Sequence, residues 1–157
     1  MKTLVIGLGN PILGDDGVGW RVAEEVARQT VNDPAVEVDC VSLGGLSLME
    51  RLTGAERVVL IDAIFTGTKP LGTLSHFTLD HLPDLSAGHS ASAHDTSLRN
   101  ALNVGRSMDI PLPDDKDVLI VAIETHHVYD FTQELSAPVA AALPQAVALV
   151  LDSLNHQ

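Results

Sequence analysis

A short apolar run, Thr3-Leu4-Val5-Ile6, stops at Gly7-Leu8-Gly9 and is followed by the turn signal Asn10-Pro11. Two adjacent carboxylates, Asp15-Asp16, then stand between Gly14 and Gly17, and helical spacing begins at Val18, Val22 and Val26. A β-branched run that ends at glycines is a buried strand running into a tight turn. The order strand, glycine-rich loop, acidic pair, helix constrains the chain more than any other feature. It is the opening of a parallel α/β unit, in which ligands sit outside the carboxyl ends of the strands.

The remainder continues that alternation. A first helix is predicted over 18–30, ending before Asn32-Asp33-Pro34, and Val36–Val41 alternates as a half-exposed strand. Gly44-Gly45 makes a second glycine turn ahead of a short helix carrying Leu46, Leu48, Met49 and Leu52. Arg57–Ile61 is apolar up to Asp62, Gly72–Leu79 reads as a strand near an edge, and 80–93 reads as an active-site-type loop. A helix is expected from Asp95 to Met108, a strand over Val118–Ile123 ending at Glu124, and a last helix from Ala137 to Leu154 containing Pro144. Strands alternating with helices predict a three-layer α/β/α fold, its mostly parallel, twisted sheet of about five strands covered by helices on both faces. Residues 1–157 are expected to form one domain, and right-handed crossovers place the loops after Gly7, Val41, Ile61 and Ile123 on one rim.

Charge and cysteine content exclude several classes of function. Nine Lys and Arg against 21 acids give a formal net charge of −12, the wrong sign for a nucleic-acid backbone or an anionic membrane. Cys40 is the only cysteine, so no intrachain disulfide can form, and its place in a predicted strand marks it as a buried, inert thiol. The amino-terminal residues lack the long apolar core of a signal peptide, and no segment is expected to reach membrane-spanning length. The cytoplasm is the expected compartment.

The candidates for chemistry are Asp16 after the first strand, Asp62 ending the third, and His94 at the start of a helix. A carboxylate closing the run Val58-Val59-Leu60-Ile61 is costly if buried without compensation. The pair Asp15-Asp16 suits either a helix cap or a cation. Two carboxylates and one imidazole are a mixed oxygen and nitrogen set appropriate to nickel, zinc, iron or manganese. A nucleotide is not expected: the third glycine of G-x-G-x-x-G would fall at Ile12, and two carboxylates repel a pyrophosphate. His89, His126 and His127 are weaker candidates, Glu124 reads as a structural acceptor, and Ser90, Ser92 and Ser97 carry no sign of activation.

Gly7-Leu8-Gly9-Asn10, Gly14-Asp15-Asp16-Gly17-Val18-Gly19, Asp62-Ala63, His94-Asp95 and Leu135-Ser136-Ala137-Pro138-Val139 together resemble the hydrogenase maturation proteases over nearly the whole chain. Members of that family are endopeptidases that trim the carboxy-terminal extension from the large-subunit precursor of nickel–iron hydrogenases. The resemblance implies that Asp16, Asp62 and His94 form the metal-binding and catalytic set. It also implies that nickel arrives with the precursor instead of residing in the enzyme. The expected partner is that precursor, with no nucleic acid and no membrane, and the chain is expected to be a monomer. Some members carry Glu at the position of Asp16 and Asp at that of Leu43. A non-catalytic nickel-binding chaperone using the same three residues is the alternative function.

Overall fold

The computed structural model describes residues 2–81, 93–126 and 130–156, with only the backbone of residues 93–97 described. All six residues of β1 (Thr3–Leu8) are buried, as a continuous apolar strand in the middle of a parallel sheet requires. The chain then passes through a 3-10 turn, Gly14–Gly17, into α1 (Val18–Gln29), which buries Val18, Val22, Ala23 and Val26 along one stripe. The edge strand β2 (Val36–Val41) is half-buried throughout, which accounts for its alternating composition. Next come α2 (Gly45–Arg51), β3 (Arg57–Ile64), β4 (Leu74–Thr78), α3 (Ala93–Ser107), β5 (Val118–Glu124) and α4 (Ala137–Asn155).

The five strands lie in the order β2-β1-β3-β5-β4, all parallel except β4, which runs antiparallel to β5 at the edge. Period-two alternation sorts the strand residues onto two faces. Leu4, Ile6, Leu60 and Ile120 pack against α2 and α3, while Val5, Val59, Ile61 and Val121 pack against α1 and α4. The expected three-layer fold with its mostly parallel sheet is therefore present. From β1 the chain crosses by α1 to β2 on one side, then returns past β1 by α2 to β3 on the other. β1 and β3 are thus neighbours whose connections depart in opposite directions, and a crevice opens beyond their carboxyl ends.

Two expectations are corrected. The helix foreseen from Asp95 begins at Ala93, so His94 lies inside its first turn. A segment does reach membrane-spanning length: α4 has 19 residues and a mean hydropathy of 1.5. Its apolar content serves the core, because Val139, Ala146, Val147, Val150 and Leu154 are buried in the cluster shared with α1 and the sheet. The helix runs on through Pro144 to Asn155.

Candidate active site

The site begins with how closely the glycine loop folds over the end of β1. Gly9 has φ 132°, and a Cβ there would stand 2.0 Å from the carbonyl oxygen of Asp16. A Cβ on Gly19 would meet the carbonyl oxygens of Ile61 and Leu8 at 2.4 and 2.5 Å. These glycines let the 3-10 turn and the first turn of α1 lie directly against the ends of β1 and β3. Their role is close packing, which explains a glycine pattern that starts like a dinucleotide fingerprint and departs from it at Ile12.

The two adjacent carboxylates are held for different purposes. Asp15 is 1% exposed and accepts hydrogen bonds from the backbone N–H and the hydroxyl of Ser136, both at 2.7 Å. His126 Nδ1 lies 3.2 Å from the same carboxylate. Ser136 is the N-cap residue of α4, so Asp15 fastens the glycine loop to the start of the last helix. It does not cap α1, whose N-cap residue, Gly17, makes no side-chain capping bond. Asp16 points elsewhere: its Oδ2 accepts the N–H of Asn10 at 2.8 Å, and it lines a cleft of about 300 Å³.

Asp62 lines the same cleft from β3 and is 6% exposed. Asn10, Leu43 and Gly44 complete the wall with Ser42, whose hydroxyl donates to the Gly9 carbonyl oxygen at 2.6 Å. Two of the three predicted site residues, Asp16 and Asp62, are therefore brought to one cleft at the β1/β3 crevice. Carboxylates gathered there, one of them buried, concentrate negative charge where a cation is stabilised and an anion repelled.

For the third residue the backbone alone is described. Asp62 shares the alternation of Leu60 and so belongs to the face covered by α2 and α3. Those two helices pack together, with Gly105 near the carboxyl end of α3 beside Met49 near that of α2. The first turn of α3, with His94, therefore lies toward the end of α2 that starts at the cleft. The His94 side chain is outside the described residues, as are His89 and His127. Among the described residues, no three His, Cys, Asp or Glu side chains gather into a metal-holding group.

Glu124 is 1% exposed and accepts the Thr66 backbone N–H at 2.8 Å together with the Thr66 hydroxyl, so it braces the loop after β3 as expected. Burial first, then the charges of Glu24 and Asp39, push the Cys40 thiol up to about 11, which leaves it protonated and poorly nucleophilic at neutral pH. Sequence reasoning missed the cluster of Asp15, Ser136 and His126. Its only local signal was the N-cap pattern Ser136-Ala137-Pro138, which marks a helix start without naming the partner.

With this geometry in place, the chain can be set beside known proteins. The family model for hydrogenase maturation proteases matches residues 20–153. The hydrogenase expression/formation protein HupD of Thiocapsa roseopersicina is 26% identical over 154 residues, 98% of this chain and 67% of its own. Among solved structures, the hydrogenase 2 maturation peptidase of Thaumarchaeota archaeon SCGC_AB-539-E09 superposes with a TM-score of 0.70 at 28% identity, covering 100% of both chains. The hydrogenase maturating endopeptidase HybD of E. coli shares the fold with a TM-score of 0.79 at 24% identity, covering 99% of this chain and 93% of its own. A family match over most of the sequence, on a fold that carries acidic residues to the crevice, has one conclusion: this chain belongs to the hydrogenase maturation protease family.

Proposed function

We propose that this chain is the endopeptidase that removes the carboxy-terminal extension of a nickel-loaded hydrogenase large-subunit precursor, acting as a monomer in the cytoplasm. The observation that supports it most is the meeting of Asp16 and Asp62 in one cleft, in a chain of the maturation protease family. Asp16, Asp62 and His94 are proposed to complete the coordination of nickel that the precursor carries in. The oxygen donors fit a first-row divalent ion, and an imidazole from the first turn of α3 completes a mixed set. When bound, the ion supplies Lewis acidity toward a carbonyl oxygen or a water.

The protein's own groups do the rest. The Asn10 N–H holds the Asp16 carboxylate at the wall, so less ordering is left to the moment of reaction. Hydrolysis adds the oxygen of water to the scissile carbonyl carbon and delivers a proton to the leaving amine. Where the ion serves instead as a recognition checkpoint, Asp16 or Asp62 is free to act as general base, taking the proton from water and returning it to that nitrogen. Selection of loaded over empty precursor is a difference in affinity, and about 2.7 kcal/mol gives a hundredfold preference.

The test is incubation of purified protein with loaded precursor, followed by intact-mass measurement. A mass loss equal to the tail is expected from wild type, with at least a hundredfold slower loss from Asp62→Asn and His94→Ala at unchanged circular dichroism. Tight binding of the precursor without cleavage would replace the peptidase by a nickel-binding chaperone. Normal trimming by His94→Ala would overturn the site.

A further inference from the structure

The segment after β5 returns to the glycine loop and adds a short parallel pairing to it. Thr132 N–H donates to Ile12 O and Gly14 N–H donates to Thr132 O, both at 2.8 Å, making Leu13 and Thr132 bridge partners. Arg21 fixes the segment further by donating to the Gln133 carbonyl oxygen at 2.6 Å. The bridge sets the backbones of Ile12 and Phe131, each one residue before the bridge partners, next to one another.

Both are exposed, Ile12 at 46% and Phe131 at 80%. A phenylalanine held in water by a braced backbone costs free energy that burial against a partner would recover. The active-site cleft is close along the chain: Ile12 N–H donates at 3.2 Å to Oδ1 of Asn10, which lines it. The borders of this exposed pair are acidic: Asp130 and Glu134 are both exposed beside Phe131, the cleft holds Asp16 and Asp62, and the whole chain carries a net charge of −12.

We propose that Ile12 and Phe131 form a docking ledge for an extended, apolar and basic segment of the precursor, fixing it so that the neighbouring peptide enters the cleft. The apolar side chains of that segment cover the ledge, and its Lys or Arg residues meet Asp130 and Glu134. The proposal rests on the processing function given above and adds the chemistry of what is recognised outside the cleft.

Steady-state processing of loaded precursor tests it. Phe131→Ala is expected to raise KM about tenfold at constant kcat, Ile12→Ala to raise it less, and Phe131→Leu to recover most of the loss. High salt should raise KM for wild type and variant alike and leave the fold-rise of Phe131→Ala about the same, because salt screens the charged part of docking and not the apolar part. In parallel, a synthetic ten-residue peptide of alternating leucine and arginine, followed by fluorescence anisotropy, should bind wild type. It should bind Phe131→Ala about tenfold more weakly, and a leucine–glutamate peptide should not bind. An unchanged KM in both alanine variants overturns the ledge while the processing function stands. Failure of wild type to trim precursor, with Phe131-dependent peptide binding intact, overturns the processing function while the ledge stands. Concentration-dependent dimerisation abolished by Phe131→Ala also overturns the proposal, since a second copy would then be the occupant.

Discussion

Asp15 and Asp16 are chemically identical neighbours with opposite duties, and the difference lies in what reaches them. Asp15 is buried and serves Ser136 and His126, whereas Asp16 needs only the Asn10 N–H to hold it at the cleft. Removing a buried carboxylate that accepts two hydrogen bonds strands the Ser136 donors, so Asp15→Ala should lower stability by about 2–4 kcal/mol in urea unfolding. Asp16→Asn keeps the shape of the side chain and should leave the urea midpoint close to wild type while processing is lost. An equal loss of stability in both variants would show that the two carboxylates share a structural role. This division was not legible in the sequence. Ser136 lies 121 positions from Asp15, and no local pattern announces a partner that far away.

At the scale of elements, α1 sits where it does because it starts without side chains in the way. Gly19→Ala would drive a methyl group into the carbonyl oxygens of Ile61 and Leu8, backbone atoms that cannot swing aside. The helix would have to lift from the strand ends, at a cost of about 1–3 kcal/mol, and carry the Asp16 turn with it. Thermal unfolding and processing should therefore fall together in Gly19→Ala. Stability and activity both at wild-type levels would mean that the close approach is unimportant. The elements themselves were largely readable: β1, β3 and β5 are continuous apolar runs because both faces of the central sheet are covered. The start of α3 was legible in Ser92-Ala93-His94-Asp95, a helix-start pattern, and its beginning at Ala93 lies within the usual spread of helix boundaries around Asp95. The span of α4 matches the expected Ala137 to Leu154 to within one residue, and the departure lies in its hydropathy, which is high enough for a membrane-spanning segment.

For the whole molecule, the decisive fact is the strand order. It makes β1 and β3 adjacent at the point where the crossovers part, and so delivers Asp16 and Asp62 to one crevice from positions far apart in the chain. That meeting was foreseen from the alternation of strands and helices, since parallel strands put their carboxyl ends on a single rim. Pairing partners and register could not be read the same way, because they depend on long-range contacts. The most direct test is a crystal of the protein grown with nickel or cadmium and measured at the metal's absorption edge. One anomalous peak is expected in the cleft, with oxygen ligands from Asp16 and Asp62 at about 2.0–2.4 Å and a nitrogen ligand from His94. A fully occupied ion bound elsewhere, or the His94 imidazole turned away from an ion held by both carboxylates, would contradict it.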